Sequence, residues 1–213
     1  MSIQIAGGLK EDGIIVGNAF DKYGSRNPIV KWMMNGFTAS LSDFVAQANP
    51  ATIHEVGCGE GYWVCKWTKA SMAARGSDFS AQVIDLAREN AVSQGIATEL
   101  FQTGSIYDLE FPRDAADLIV CCEVFEHLEN PLAGLEVLSR VVKGHLILSV
   151  PREPLWRLLN MARGKYLSDF GNTPGHIQPW SKKGFIDMVS KRFDILGLRS
   201  PLPWTMLLCR PKR

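Results

Sequence analysis

Two glutamates and a histidine lie close together near the middle of the chain. Glu123, Glu126 and His127 form an E-x-x-E-H pattern directly after an apolar run. If the chain turns helical after Glu123, the three side chains share one face, because positions i, i+3 and i+4 are neighbours on a helix. Such a cluster can hold a divalent cation, with oxygen ligands favouring Mg²⁺ or Mn²⁺ and imidazole widening the choice to iron or zinc. His176, in the later segment GHIQPWS, is a candidate fourth ligand.

The same residues have other interpretations. The charge of Glu126 favours the N-terminal end of a helix. His176 can instead contact a substrate or act as a general base near its ordinary pKa of ~6.5. Glu126, His127 and His176 are therefore candidate catalytic residues as well as candidate metal ligands.

A glycine-rich segment indicates nucleotide chemistry. The residues EVGCGEG place glycines at positions 57, 59 and 61 between a strand-like run and a helical pattern. Glycines there let the backbone turn sharply and bring a ligand close to the strand end and the helix N-terminus. Asp78, 21 residues after Gly57, ends the next strand-like run and can accept both hydroxyls of a ribose. Alternatively, Asp78 is the N-cap of the helix that follows it.

These residues lie at the ends of alternating strands and helices. Helical patterns span residues 62–70, 81–94 and 131–142, and strand-like runs begin at Thr52, Ala73, Ala97, Asp117 and His145. The alternation predicts a doubly wound α/β domain with a mainly parallel sheet. The runs at 193–200 and 204–210 are joined by a connection too short for a crossover helix. We expect them to form an antiparallel hairpin that completes a seven-stranded sheet.

The chain is expected to have an N-terminal extension and one main domain. The apolar spacing over residues 28–48 predicts an amphipathic helix with Pro28 in its first turn. We expect residues 1–50 to form a helical cap and residues 51–213 to form the main domain, with an irregular insert at 151–180. Within strand patterns, His54 and His145 are expected to be packed or hydrogen-bonded core residues.

Composition excludes several classes of protein. The 213 residues include 23 Lys and Arg against 22 Asp and Glu, so the net charge is +1 and no nucleic-acid partner is expected. No apolar run approaches the ~18 residues of a membrane span, and the first residues lack the build of a signal peptide. A cytoplasmic location is therefore expected. The five cysteines form no CxxC pair, which indicates reduced thiols.

Residues 50–210 resemble the class I S-adenosylmethionine-dependent methyltransferases. The features that carry this resemblance are the E-x-G-x-G-x-G spacing, which differs from the G-x-G-x-x-G of nicotinamide enzymes, the acidic residue at position 78 and the expected hairpin. The resemblance implies S-adenosylmethionine (SAM) as cofactor and S-adenosylhomocysteine (SAH) as product. The implied cofactor contacts are Gly57, Gly59 and Gly61 at the methionine part, Asp78 at the ribose, and Phe79 at the adenine, together with Glu55, Ser105, Ile106 and Glu123.

Ser105 departs from the family pattern at the adenine end. A serine stands where the family usually has an acidic residue. Its hydroxyl can still bond to the exocyclic amine of adenine, and the amide of Ile106 can donate to the ring.

The E-x-x-E-H pattern and the distant His176 resemble two metal-dependent branches of this family. These are the ubiquinone-pathway O-methyltransferases and the enzymes that methylate the terminal 2′-hydroxyl of small RNAs. The resemblance implies that Glu123, Glu126, His127 and His176 hold a cation that orients the acceptor hydroxyl and eases its deprotonation. In the alternative without a metal, Glu123 simply faces the cofactor.

Acceptor specificity is expected in two variable segments, because methyl transfer mainly requires alignment and exclusion of water. Segment 20–28 carries Tyr23 and Arg26. It forms either a lid whose arginine holds the cofactor carboxylate or an acceptor anion, or a capping loop before the first helix. In the insert, Arg152 and Trp180 are candidate substrate contacts.

Basic and apolar residues are interleaved over residues 151–166 of the insert. This pattern suits a phosphorylated, glycosylated or lipid-linked acceptor, or peripheral contact with a membrane. Alternatively, the segment covers the active site with its arginines in water.

The sequence thus predicts methyl transfer from SAM to a small, sugar-linked or lipid-linked acceptor, more readily at oxygen than at nitrogen or carbon. Two other classes stay open. One is a non-catalytic nucleoside-binding partner protein, and the other is a nicotinamide-dependent oxidoreductase.

Overall fold

The computed structural model describes residues 3–11 and 14–212. Seven strands form one sheet, and their bounds are β1 Thr52–Val56, β2 Ala73–Asp78, β3 Phe101–Thr103, β4 Ala116–Cys122, β5 Val142–Pro151, β6 Phe193–Arg199 and β7 Trp204–Pro211. Their spatial order is β3-β2-β1-β4-β5-β7-β6. A separate short pair, Lys10–Glu11 with Ile14–Ile15, lies in the N-terminal segment.

The sheet combines parallel strands with an antiparallel hairpin. Strands β1 to β5 pair in parallel, whereas β7 pairs antiparallel with both β5 and β6. The predicted fold class, a doubly wound and mainly parallel seven-stranded sheet ending in an antiparallel hairpin, is confirmed. The parallel strands all end at the same edge of the sheet, so the segments that follow β1, β2 and β4 meet there.

Helices cover both faces of the sheet. Their bounds are α1 Pro28–Ala48, α2 Tyr62–Lys69, α3 Ala81–Val92, α4 Pro131–Val141, α5 Leu155–Ala162 and α6 Lys182–Val189. One core contains buried residues of α1, α2 and α3, such as Phe44, Trp63 and Ala87. The core on the other face contains buried residues of α4 and α6, such as Leu135 and Phe185.

Helix α1 packs in the same core as the sheet. Asn27 caps its N-terminus by accepting from the amides of Ile29 and Val30, and the left-handed Asn49 ends it. Phe37 meets the ring of Trp204 edge-on, with centroids 5.1 Å apart. The helix therefore supports the same sheet that carries the candidate site, while the division of the chain at residue 50 stays a prediction.

One predicted strand begins later than expected. The run from Ala97 forms a 3-10 turn at Thr98–Leu100, and only Phe101–Thr103 pairs with β2. The amide of Phe101 donates back to the carbonyl of Thr98. This bond closes the turn, so strand β3 begins at Phe101 rather than at Ala97.

Within the described part of the chain, no helix is long and apolar enough to cross a membrane.

His54 is a hydrogen-bonded core residue, as predicted. Its ring is 2% exposed. Nδ1 lies 2.9 Å from the carbonyl oxygen of Asp114, and Nε2 lies 2.9 Å from Oγ of Ser77. Because a carbonyl only accepts, Nδ1 carries the proton and the serine donates to Nε2. Burial lowers the pKa of His54 to about 4, so the ring is neutral at neutral pH.

Replacing His54 with glutamine should reduce the loss of stability on acidification. Between an unfolded pKa of ~6.5 and the folded pKa of about 4, the unfolded chain binds a proton that the folded chain does not. Stability therefore falls as the pH falls through this window. Urea titrations at roughly pH 7 and pH 4.5 should show a free energy of unfolding that drops about 2 kcal/mol more in the wild type than in His54→Gln. Equal drops would contradict the assignment.

Candidate functional site

The glycine loop between β1 and α2 needs glycine at its turning points. Gly57, Gly59 and Gly61 all have positive φ, at 78°, 53° and 80°. A Cβ on Gly57 would lie 2.3 Å from Cγ2 of Val124, and one on Gly61 would lie 2.7 Å from the ring of Phe101. Larger residues there would therefore meet both backbone strain and steric clash.

Asp78 joins the glycine loop to the next strand. Its Oδ2 accepts from the amide of Gly59 at 3.0 Å, and its Oδ1 accepts from the amide of Ser80 at 3.1 Å. Burial raises the pKa of Asp78, and the two amide bonds oppose that shift. The N-cap interpretation of Asp78 is wrong, because the hydroxyl of Ser80 caps α3 by accepting from the amide of Val83.

The expected adenine contacts lie beside this carboxylate. Phe79 is 51% exposed, so its ring is available to pack on a planar ligand. The hydroxyl of Ser105 accepts from the amide of Tyr107, which leaves its own proton available to donate. The side chain of Ile106 is buried, so only its main chain can face a ligand.

Glu55 places a buried carboxylate at the end of β1. It is 5% exposed, and its Oε2 has no hydrogen-bond partner among the described residues. Burial raises the pKa of Glu55 well above its ordinary value. A buried oxygen without a partner is costly, and the methionine ammonium of SAM would supply a donor.

Glu123 turns the chain away from β4 rather than starting a helix. Its φ is 60°. Its Oε1 accepts from Oγ of Ser149 at 3.1 Å, and its Oε2 accepts from Nε1 of Trp204 at 2.5 Å. Burial raises its pKa, and Lys22, Trp204 and Ser149 oppose that shift in this order.

The expected helical face after Glu123 is therefore wrong. Residues Phe125–His127 form a turn. The carbonyl of Glu126 accepts from the amides of Ile177 and Gln178, at 2.9 and 3.0 Å, and that of Phe125 accepts from Nε1 of Trp180 at 3.1 Å. Bonds to the insert thus occupy carbonyls that a helix would have used.

These long-range bonds bring three of the four predicted ligands together. One donor atom each from Glu126, His127 and His176 lies within 4.8 Å of the others. Glu123 is not part of this group. Oε2 of Glu126 is buried and has no partner among the described residues. Nδ1 of His127 lies 2.9 Å from the carbonyl oxygen of Gly175, so it carries the proton and Nε2 keeps a free lone pair.

The charge states of this cluster follow from burial. Burial, followed by the charge of Glu123, raises the pKa of Glu126 well above its ordinary value. Burial lowers the pKa of His127. Burial and then the charges of His127 and Arg157 lower the pKa of His176 to about 3. Both imidazoles are therefore neutral near pH 7, as metal ligation or hydrogen-bond acceptance requires.

Two tryptophan rings, Trp156 and Trp204, lie next to the cluster, and the sequence analysis did not predict their position. The ring of Trp156 stacks near His176 with centroids 5.9 Å apart and lies 6.0 Å from that of Trp204. His176 in turn lies 4.9 Å from His127. The signal available in the sequence was only the presence of tryptophan in the insert and in the last strand, which gives no pairing.

The predicted substrate contacts Tyr23, Arg26 and Arg152 lie in different parts of the structure. The ring of Tyr23 stacks on that of Tyr62 with centroids 3.7 Å apart, and its hydroxyl accepts from Nε1 of Trp63 at 2.8 Å. Tyr23 therefore lies over the start of α2. Arg26 is exposed next to the cap of α1. The amide of Arg152 donates to the carbonyl of Pro203.

The structure gives Trp180 and Lys22 roles that differ from those expected from the sequence. The indole of Trp180 is used to hold the turn at Phe125, which makes it a support of the cluster. Lys22 was not singled out from the sequence, yet its ammonium lowers the pKa of Glu55, Glu123 and Glu126 against the larger effect of burial. Lys22, rather than Arg26, is thus the cation of segment 20–28 that lies near the buried carboxylates.

Comparisons with known proteins agree with this arrangement. Residues 54–148 match the family described as a methyltransferase domain. The structure of magnesium protoporphyrin IX methyltransferase from Synechocystis PCC 6803 with bound SAH is similar over 91% of this chain and 94% of that one, with a TM-score of 0.67 at 19% identity. Residues 54–148 are thus similar to a methyltransferase domain, and this neighbour shares the fold of the whole sheet. The glycine loop and Asp78 stay predicted cofactor contacts.

Other proteins are similar to this chain in fold or over part of the sequence. The PH0226 protein from Pyrococcus horikoshii OT3 has the same fold, with a TM-score of 0.71, 17% identity and coverage of 91% and 96%. Ubiquinone biosynthesis O-methyltransferases from Aliivibrio fischeri (strain MJ11) and Alkalilimnicola ehrlichii are each 28% identical, over 97 and 134 residues. These matches cover 45% and 59% of this chain, and 42% and 53% of the relatives.

Proposed function

We propose that this chain transfers the methyl group of SAM to an oxygen of a small, sugar-linked or lipid-linked acceptor. The observation that carries the proposal is the hydrogen bond between the amide of Gly59 and Asp78. It joins a loop suited to the methionine part with a carboxylate suited to the ribose. The similarity to O-methyltransferases supports oxygen as the methylated atom.

The residues at the edge of the sheet fit SAM. The partnerless Oε2 of Glu55 would accept from the ammonium group, and Asp78, anchored by two amides, would accept from the ribose hydroxyls. The half-exposed ring of Phe79 would pack on the adenine. SAM supplies a methyl group on a sulfonium, and the protein's part is to align the acceptor oxygen with it and to exclude water.

Deprotonation of the acceptor would fall to the His127 and His176 pair. Burial keeps both rings neutral at pH 7. A group with a pKa of about 3 is a weak base. When no cation is bound, His127 is therefore better suited to take the acceptor proton and His176 to accept a hydrogen bond. Nε2 of His127 cannot serve as a base while it ligates a cation.

Asp78→Asn should weaken binding of SAM and SAH about 10- to 100-fold, because it replaces a charged acceptor by a neutral amide facing the ribose hydroxyls. Isothermal titration calorimetry would measure both dissociation constants. Asp85→Asn is the matched control, since Asp85 lies exposed on α3 and pairs with Arg88. Equal affinity in the Asp78 variant and the wild type would contradict the ribose assignment.

Transfer of labelled methyl from SAM to a cell extract tests the activity itself. Cofactor binding without any labelled product would favour the non-catalytic nucleoside-binding protein. A fluorescence titration with reduced nicotinamide cofactor would identify the oxidoreductase, which the E-x-G-x-G-x-G spacing disfavours.

We further propose that Glu126, His127 and His176 bind a divalent cation. The grouping of their donor atoms within 4.8 Å and the partnerless Oε2 of Glu126 support this. One carboxylate and two imidazoles suit Mn²⁺, Fe²⁺ or Zn²⁺ better than Mg²⁺, and three protein ligands leave positions open. A cation there would lower the pKa of an acceptor hydroxyl. Glu123, bound to Trp204 and Ser149, would shape the pocket without ligating.

Removal of metal by a chelator, followed by titration with Mn²⁺, tests this site. We expect one Mn²⁺ per chain in the wild type and at least about 10-fold weaker binding in His176→Ala, because one of three ligands is lost. His145→Ala is the control, since His145 lies on β5 outside the cluster. Electron paramagnetic resonance of bound Mn²⁺ gives the readout. Binding that does not change in His176→Ala would contradict the site.

We propose that the insert touches the lipid of a lipid-linked acceptor or its membrane. Leu158, Leu167 and Phe170 are 54%, 62% and 77% exposed, and Arg163 and Lys165 are exposed between them in the sequence. Exposed apolar side chains beside basic residues are typical of an interfacial surface.

The double variant Leu167→Ser, Phe170→Ser should lower partitioning onto anionic phospholipid vesicles by about tenfold or more, because it removes apolar side chains that would enter the interface. Flotation measures the bound fraction. The matched control is Leu196→Ser, Leu198→Ser on β6, whose two leucines are exposed and lie outside the insert in sequence. If both double variants bind vesicles like the wild type, the insert is not the contact surface.

A further inference from the structure

The segment before α1 lies across the cofactor side of the domain. We call residues 3–11 and 14–27 the N-terminal strap. At its start, the amide of Gln4 donates to Oδ1 of Asn90 at 2.7 Å, and Nδ2 of Asn90 donates to the carbonyls of Gln4 and Glu60 at 2.9 and 3.0 Å. Further along, Ala6 and Val16 pack against Val83 of α3. The strap is thus held by specific contacts along its length.

One buried carboxylate holds two distant parts of the strap together. Glu60, which lies between Gly59 and Gly61, is 1% exposed. Its Oε1 accepts from the amides of Ala6 and Asn18 at 2.9 and 2.7 Å, and its Oε2 accepts from Nδ2 of Asn18 at 2.5 Å. Three N–H donors compensate the charge, and all three come from the strap. The bonds therefore join the strap directly to the glycine loop.

The closed strap leaves no spare room around Glu60. Gly17 has a φ of 64°, and a Cβ there would lie 2.7 Å from both Cβ of Ala6 and Oε1 of Glu60. Nδ2 of Asn18 lies 3.9 Å from the position of a Cβ on Gly59. The strap therefore passes directly over the loop that would hold the methionine part of the cofactor.

The residues after Asn18 continue from the part of the strap that Glu60 holds. Tyr23 stacks on Tyr62 and accepts from Trp63. Lys22, next to it, brings its ammonium near the buried carboxylates, where it lowers the pKa of Glu55 against the larger effect of burial. Loss of the bonds at Glu60 would free both side chains from these positions.

We propose that Glu60 is a positioning residue that holds the N-terminal strap closed over the cofactor and so limits the exchange of SAM and SAH. This inference rests on the proposed function, because it names how cofactor exchange at that site is controlled. The strap closes one side of the pocket, so the cofactor must leave either through the acceptor side or after the bonds to Glu60 break.

Glu60→Gln tests this role at nearly constant size. The introduced amide group turns a donor toward Nδ2 of Asn18, which is also a donor. We expect the dissociation rates of SAM and SAH to rise about 10- to 100-fold, because charge-assisted bonds from the strap are lost. Adding Asn18→Asp reverses the donor and acceptor and should restore the rates to within about threefold of the wild type. Stopped-flow displacement of cofactor, followed through tryptophan fluorescence, gives the rates.

Trypsin cleavage gives a readout that needs no cofactor. We expect cleavage after Lys22 and Arg26 to be faster in Glu60→Gln than in the wild type and to slow again in the double variant. Glu89→Gln is the matched control, because Glu89 is an exposed carboxylate on α3 next to Asn90. Gly17→Ala is a second route to the same result, since it crowds the closed strap and leaves Glu60 intact.

The two readouts separate this inference from the proposed function. Wild-type protein that binds no SAM would contradict the proposed function, and with it any role in exchange, whatever trypsin shows. Wild-type protein that binds SAM, with dissociation and cleavage unchanged in Glu60→Gln and in Gly17→Ala, would overturn the role of Glu60 alone. Faster dissociation without rescue by Asn18→Asp would also overturn it, since general destabilisation would then explain the effect.

Discussion

The hydrogen bond from the amide of Gly59 to the carboxylate of Asp78 is the contact on which the site depends. It joins the loop after β1 to the end of β2, and the second oxygen of Asp78 continues to the amide of Ser80 at the start of α3. Three elements are therefore aligned by one side chain. Because both oxygens are held by rigid backbone groups, the lone pairs that remain have fixed directions, as a site that recognises a sugar diol requires.

A second constraint is electrostatic. The edge of the sheet concentrates carboxylates from Glu55, Glu123 and Glu126, all raised in pKa by burial. Glu123 is satisfied by Trp204 and Ser149, whereas Glu55 and Glu126 each keep an oxygen without a partner. Burial of unpaired acceptors costs free energy in the protein without ligand. A ligand that supplies the missing donor or charge removes this cost when it binds. The two partnerless oxygens lie in different places: that of Glu55 is at the end of β1, before the glycine loop, and that of Glu126 is beside the neutral histidines.

The features that the sequence indicates by itself are those made by local chemistry. Gly57 and Gly61 require positive φ and close packing, and no other residue type meets both demands, so their spacing is informative. His54 lies in a strand that is buried on both faces, where Ile53 to Val56 are all buried. The helix expected after Glu123 failed because the carbonyls of Phe125 and Glu126 bond to the insert some fifty residues later. Glu60, Lys22 and Trp204 were missed for the same reason, since their partners are remote in sequence.

The amino-acid sequence by itself determined the order of strands and helices, the antiparallel end of the sheet and the glycine loop and carboxylate for which we propose cofactor binding. Hydrophobic periodicity, turn-forming residues and the conformational freedom of glycine act over a few residues. These effects can therefore be recognised from a single amino-acid sequence. Only the tertiary structure decided which polar groups share a pocket. It moved Glu123 out of the cluster that holds Glu126, His127 and His176, and it set the strap on Glu60. Those choices depend on hydrogen bonds between distant segments, whose geometry exists only once the sheet has formed.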